Sequence, residues 1–335
     1  MSQPTRVVTL AASLVLLTAL PGRRAAQDGI QQLPGLREQP GFKQYSGFLQ
    51  AGGSRRLHYW FVESQHSPNT DPVVLWMNGG PGCSSLIGMM TELGPFRLSS
   101  DGHNLTTNPY SWNKASTTRA SPCVANVVFL EAPVGVGFSY DQSGSHYNRS
   151  DDTTADDNYL AVQDFFSKFP HLRKNDFYVT GESYAGVYVP MLTLRILRNP
   201  GEIRLKVKEA EINFDGLNHY NLYDPSVSDR SVKKHNVCFQ VMSSSPVQSC
   251  IDDSAVERSK FNYTKQYSSM KDTVRKLVDS KRLRTLIYNG DVDMVCNFLS
   301  NQWFLDALGY PTGEARAVAA EPCSAAAPAR QLCAV

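Results

Sequence analysis

Apolar runs and the residues that interrupt them divide the chain into alternating strands and helices. Leu57 to Glu63 alternates apolar and polar positions and predicts a strand. Val73-Val74-Leu75-Trp76 is a short apolar run that stops at Asn78-Gly79-Gly80-Pro81-Gly82, as a buried strand opening into a glycine-rich turn would. Val127-Val128-Phe129-Leu130 repeats the pattern and is stopped by Glu131-Ala132-Pro133. Between the two, the Ser/Thr/Ala-rich stretch Ala115 to Val124, which holds Cys123, reads as a loop. Thr153 to Phe169 predicts an amphipathic helix, with Asp156 and Asp157 in its first turns, Val162, Phe165, Phe166 and Phe169 on one face, and Pro170 at its end. Phe177-Tyr178-Val179-Thr180 is a third buried strand, broken at Gly181, and Tyr184 to Leu197 has helical character. Thr285-Leu286-Ile287-Tyr288 is a fourth, broken by Asn289-Gly290-Asp291.

Strands alternating with helices predict an α/β layered fold with a mostly parallel central sheet flanked by helices. The core falls in two parts, 27–197 and 271–310. Residues 198–270 are charged, turn-rich and carry two cysteines, which suits a reduced cap or insertion. Residues 311–335 are rich in Ala, Pro and Arg without an apolar period, and predict a poorly ordered tail.

Residues 1–26 read as a secretory signal peptide. Arg6 is the positive start, Val7 to Leu20 an uncharged and mostly apolar run, Pro21-Gly22 its end, and Ala25-Ala26 small residues for a cut. The apolar run is 14 residues long, short of the roughly 20 that cross a bilayer. Three sequons, at Asn104, Asn148 and Asn262, fit a glycosylated protein of the secretory pathway, either lysosomal or secreted. The full chain has 33 basic and 31 acidic side chains; without residues 1–26 the counts are 30 and 31. So even a balance, with no basic patch and no phosphate loop, argues against nucleic acid or an anionic membrane as partner. Seven cysteines, at 83, 123, 238, 250, 296, 323 and 333, form at most three bridges, and none has metal-site or CxxC redox spacing. No metal cluster is visible among the histidines, and no cofactor is implied.

The sharpest chemical signal is Gly181-Glu182-Ser183-Tyr184-Ala185-Gly186, between a predicted strand and helix. In a nucleophile elbow the chain turns so tightly that the central residue is strained and its neighbours are small. Ser183 holds that position, although Ala185 stands where the general pattern has Gly. A helix N-cap serine explains the same residues less well, given the strand before it. An acyl-transfer serine needs fixed N–H donors for an oxyanion, here from Tyr184 and from the glycine-rich loop. It also needs a carboxylate and a histidine. Asn289-Gly290-Asp291-Val292-Asp293 follows a late strand and offers the first. The second is not found: His58, His66, His103, His146, His171, His219 and His235 read as loop or strand-surface residues, and none follows His235.

With these residues the chain resembles the serine carboxypeptidases of the α/β-hydrolase fold. The resemblance rests on Leu33-Pro-Gly-Leu36, Phe42 to Leu49, Trp76 to Ser85 running on to Glu92-Leu-Gly-Pro95, Asn108 to Asn113, Glu131 to Tyr140, Gly181 to Gly186 and Tyr288 to Asn297. It is closest to lysosomal members and covers 33–113 and 125–197 densely and 255–308 clearly. It implies Ser183 as nucleophile, Asp293 as the triad carboxylate, and Gly80 and Tyr184 as oxyanion donors. Asn78, Gly79, Glu92 and Glu182 would bind the substrate's C-terminal carboxylate, and Cys296 would lie nearby as a free thiol. Glutamates facing that carboxylate repel it unless protons are shared, which implies an acidic working range. The implied substrates are peptides with a free C-terminal carboxylate. Lysosomal β-galactosidase and neuraminidase are the implied protein partners, and a homodimer is left open.

Two family blocks are missing. One is the late Gly-x-Gly-His-Met-Val-Pro block that supplies the histidine, and the other is a Gly-Asn-Gly strand after the nucleophile helix. The resemblance also implies that Cys83 pairs with a distant cysteine, whose identity the sequence leaves open. The chain therefore reads as a serine carboxypeptidase that releases C-terminal residues through an acyl-serine intermediate at acidic pH, with its own turnover slowed or lost for want of the histidine block. The rival readings are a catalytically inactive lumenal binding or protective protein, or a non-functional truncated isoform. An esterase or lipase on the same fold suits Asn78, Glu92 and Glu182 less well.

Overall fold

The structure, a computed structural model, describes residues 23–99, 102–114, 124–144, 147–201, 207–213, 261–289, 298–310, 316–318 and 331–333. In chain order the strands are β1 (Gln44–Gln50), β2 (Arg55–Val62), β3 (Val73–Met77), β4 (Phe96–Leu98), β5 (Leu105–Thr107), β6 (Asn126–Leu130), β7 (Tyr140–Asp141), β8 (Tyr147–Ser150), β9 (Phe177–Gly181), β10 (Val207–Asn213), β11 (Phe261–Thr264), β12 (Arg284–Tyr288), β13 (Arg316–Val318) and β14 (Gln331–Cys333). The helices are α1 (Arg23–Gln27), α2 (Ser85–Thr91), α3 (Asp151–Lys168), α4 (Ala185–Arg198), α5 (Lys271–Asp279) and α6 (Phe298–Leu308).

The central sheet has the order β1-β2-β6-β3-β9-β10-β12, with β7 paired to β2. From β6 to β12 every pairing is parallel, while β1, β2 and β7 form an antiparallel edge. Strand β3 lies between β6 and β9, so the chain leaves it first to one side and later to the other. The crevice beyond the carboxyl ends of β3 and β9 is thus a topological switch point, where α/β sheets bind ligands.

Alternation along each buried strand splits its side chains between two apolar layers. Val73, Leu75 and Met77 of β3 join Val128 and Leu130 of β6 and Phe177 and Val179 of β9 against α3 and α4. Val74, Trp76, Val127 and Phe129 face the other way, against Leu86, Met89 and Met90 of α2. The predicted aromatic face of the long helix is present: Phe165 and Phe169 meet Tyr59 and Phe61 of β2 edge to face. That helix begins two residues earlier than its periodicity suggests. Ser150 caps it, and the reciprocal partner is Thr153 rather than the usual glutamate or glutamine.

Three features were not legible in the sequence. Strand β1 lies in a stretch that reads as a lead-in. Strand β10, within the segment assigned to a cap, pairs parallel with both β9 and β12. Its apolar residues Val207, Ala210 and Ile212 are separated by charges, which hides the strand period. Short β13 and β14 pair antiparallel within 311–335. Near the start, Ala25 is buried in the core. Asp28 accepts from Lys168 Nζ (2.5 Å) and from the Tyr59 hydroxyl (2.7 Å).

Candidate active site

Two turns meet at the carboxyl ends of neighbouring strands. Met77 and Gly181 are register partners at the ends of β3 and β9. The first turn, residues 78–82, leads into α2, and the second, residues 182–184, leads into α4. Ser183 sits at the apex of the second with φ of +56°, in the left-handed region. A side chain there costs about 1–2 kcal/mol. Tight packing on both flanks holds the turn. A Cβ added at Gly181 would fall onto the Met77 carbonyl oxygen and lie 2.7 Å from the Ala185 Cβ. The Ala185 methyl, standing where the general motif has glycine, is accommodated because Gly181 has no Cβ. A Cβ at Gly79 would meet the Tyr184 backbone nitrogen and lie 2.8 Å from the Glu182 oxygen and 2.9 Å from the Tyr184 Cα. Only a glycine fits between the two turns.

The turn geometry leaves two donors unspent. Among the described residues, neither the Gly80 nor the Tyr184 N–H finds an acceptor, while Ala185, Gly186 and Val187 donate to Glu182, Ser183 and Tyr184 carbonyls. Two fixed, unpaired N–H groups beside a strained, half-buried serine hydroxyl can bind a developing oxyanion.

Asn78 is buried and oriented by its neighbours. Its Oδ1 accepts from Trp76 Nε1 (2.8 Å) and from the Gly88 N–H (3.3 Å), its N–H donates to Ser85 Oγ (3.0 Å), and its Nδ2 is thereby aimed at Glu182 Oε1 (2.5 Å). Glu182 is buried, and Glu92 ends α2 one turn beyond Gly88. Of the sequence-predicted residues, Asn78, Gly79, Gly80, Glu182, Ser183 and Tyr184 are thus gathered around one pair of turns. Asp293 and Cys296 lie outside the described residues. Cys83, which follows the glycine-rich turn, is disulfide-bonded. Asn104, Asn148 and Asn262 are exposed.

Two supporting clusters were missed from sequence. Asp151, buried at the first position of α3, accepts from the Tyr184 hydroxyl (2.8 Å), the Tyr263 hydroxyl (2.9 Å) and the Gln266 N–H (2.6 Å). Burial and Asp151 together hold the Tyr184 phenol above its usual range, so it stays neutral. Fully buried Glu131 accepts from Ser84 Oγ, from the Phe138 N–H (2.9 Å) and at 3.0 Å from His58 Nδ1. His58 Nε2 in turn meets Ser46 Oγ at 2.8 Å. His58 is therefore committed to a structural cluster, and His66 to Asp71 at 3.3 Å.

A sequence model of the serine carboxypeptidase family matches residues 34–248 and 233–326. The lysosomal protective protein of Mus musculus is 32% identical over 409 aligned positions, taking in 88% of this chain and 84% of that protein. The chain belongs to the serine carboxypeptidase family. Serine carboxypeptidase ctsa-4.1 of Caenorhabditis elegans is 46% identical over 204 residues, 60% of this chain but 41% of that protein. Among solved structures, Kex1(delta)p, a prohormone-processing carboxypeptidase from Saccharomyces cerevisiae, superposes with a TM-score of 0.60 at 18% identity, over 85% of this chain and 82% of that one. The superposition carries the α/β-hydrolase fold, and the sequence matches carry the family. Among the described residues no helix is long and apolar enough to cross a membrane.

Proposed function

We propose that this chain presents a serine carboxypeptidase site whose acyl-transfer chemistry lacks its general base. Ser183 is the nucleophile, and the Gly80 and Tyr184 N–H groups receive the oxyanion. Asn78, Gly79, Glu92 and Glu182 take the C-terminal carboxylate of a peptide, and Asp293 is the acid that would orient an imidazole. The observation that carries this reading is the strained Ser183 flanked by two unspent N–H groups, with Asn78 locked toward Glu182.

The complete reaction has two parts. Attack of Ser183 Oγ on the terminal peptide carbonyl releases the last residue and leaves an acyl-serine, and water then frees the shortened peptide. Both parts need a base near Ser183, and no histidine follows His235. The exposed sequons and the lysosomal relative support an address in the secretory pathway. There β-galactosidase- and neuraminidase-type hydrolases are candidate partners.

A second reading, a lumenal binding protein without turnover, is favoured by that same lack and by the commitment of His58 and His66 elsewhere. Both readings keep the carboxylate site. Calorimetric titration in mildly acidic buffer with a blocked dipeptide tests it. The free acid should bind at least tenfold more tightly than its amide, and Asn78→Ala should abolish the difference. Equal affinity for acid and amide would refute the carboxylate role.

A further inference from the structure

Strands β8 and β11 form a separate two-stranded parallel ribbon in which Asn148 and Asn262 are register partners. Each begins a sequon, Asn148-Arg149-Ser150 and Asn262-Tyr263-Thr264. Side chains alternate across a strand, and the middle residue of each sequon faces inward. Arg149 reaches Asp157 (3.3 Å), and Tyr263 donates to Asp151 (2.9 Å). Both asparagines therefore point outward on the same face, and both are exposed. Their strands are about 4.8 Å apart.

We infer that Asn148 and Asn262 form one composite glycosylation site, so that a folded chain carries a glycan on one or the other but not on both. The inference rests on the secretory reading above. In the transfer, the asparagine amide nitrogen attacks the anomeric carbon of a lipid-pyrophosphate-linked oligosaccharide. The new carbon–nitrogen bond replaces the carbon–oxygen bond to pyrophosphate, which leaves on the lipid, while the amide proton passes to a base of the transferase.

The first sugar of each glycan is an N-acetylated ring, wider than the spacing between the strands. Two such rings on register partners crowd one another above the ribbon, and the crowding opposes pairing of the two strands. A one-residue slip would turn Tyr263 to solvent and break its bond to Asp151, so the register is fixed. The Ser150 hydroxyl caps α3 in the folded protein, accepting from the Thr153 N–H at 3.4 Å. Modification at Asn148 thus precedes folding. Because Asn148 is synthesised before Asn262, it is the first to be filled, and doubly modified chains fail to close the ribbon. That failure reaches the candidate active site, since Asp151 holds the Tyr184 ring.

The test expresses the full chain in a glycosylating secretory host. Site occupancy is read by glycopeptide mass spectrometry on the fraction that resists limited proteolysis, with Asn104 as internal control. Chains with both sites filled should be under a tenth of that fraction. Asn148→Gln should raise occupancy at Asn262 several-fold, and Thr264→Ala should leave Asn148 filled. A folded fraction dominated by doubly filled chains would overturn the inference, as would Asn262 occupancy indifferent to Asn148→Gln. Empty Asn148 and Asn262 beside a filled Asn104 would overturn it while leaving the secretory reading intact; all three empty would overturn both. If no resistant fraction is recovered, pulse–chase with gel-shift separation decides. The doubly modified species must disappear faster than the singly modified species of Thr264→Ala, and equal lifetimes would overturn the inference.

Discussion

Replacing Gly79 by alanine inserts one methyl group between the two turns of the candidate active site. The added carbon would lie 2.8 Å from the Glu182 carbonyl oxygen and 2.9 Å from the Tyr184 Cα, and closer still to the Tyr184 nitrogen. All three are backbone atoms of a turn already held at a positive φ, so no side chain can swing away. Overpacking of this kind costs about 1–3 kcal/mol, and a backbone clash belongs at the upper end. Alanine also narrows the unfolded ensemble, which offsets about 0.4–1 kcal/mol of that cost. The net expectation is a loss of about 2 kcal/mol, or a melting temperature lower by roughly 3 °C for a domain of about 300 residues. Gly41→Ala is the matched control, because nothing lies within 4 Å of its added carbon and its φ is not positive. It should be neutral or slightly stabilising. Denaturant unfolding of wild type, Gly79→Ala and Gly41→Ala, followed by tryptophan fluorescence, compares them. If Gly79→Ala unfolds within about 0.5 kcal/mol of Gly41→Ala, the close approach of the two turns is wrong.

Three further outcomes follow from the same geometry. Ser183→Gly should stabilise the fold by about 0.5–1 kcal/mol by relieving the left-handed strain, whereas Ser183→Ala should not; destabilisation by glycine in denaturant melts would contradict the strained elbow. Glu131→Ala should cost about 3–5 kcal/mol, because the Ser84, His58 and Phe138 donors lose a buried acceptor; a secreted yield and melting temperature equal to wild type would count against it. Burial alone would raise the Asp71 carboxyl, but bonds from Ser64 Oγ (2.6 Å), the Ser67 N–H (2.7 Å) and His66 outweigh it and hold the group below its usual range. A lowered folded-state value stabilises above the unfolded carboxylate range, and that contribution is lost as pH falls through it. The stability gap between wild type and Asp71→Asn should thus close between about pH 5 and pH 2, and a gap independent of pH would reject this assignment.

The buried strands were legible because each is a short apolar run cut off by glycine, proline or asparagine. Those cuts fall where β3, β6, β9 and β12 end. The elbow was legible for the same reason, since only small residues permit a turn that tight. Strand β10 was not, because its charges break the period, and its place depends on β9 and β12, distant in sequence. Asp151 and Glu131 were not, because a carboxylate at a helix start or after a strand looks the same whether it faces solvent or gathers buried donors. Only the fold brings Tyr263 to Asp151 across 112 positions.

The proposed Ser183 site has its oxyanion donors but no histidine base, and the most direct measurement of that proposal is hydrolysis of a blocked dipeptide as imidazole is added. Without imidazole, wild type and Ser183→Ala should release the C-terminal residue at the same near-background rate, because an unassisted serine hydroxyl is a weak nucleophile. With imidazole supplied as the base, the wild-type rate should rise above that of Ser183→Ala. Ser183-dependent turnover without imidazole would contradict the missing base, and identical rates at every imidazole concentration would contradict the assembled site.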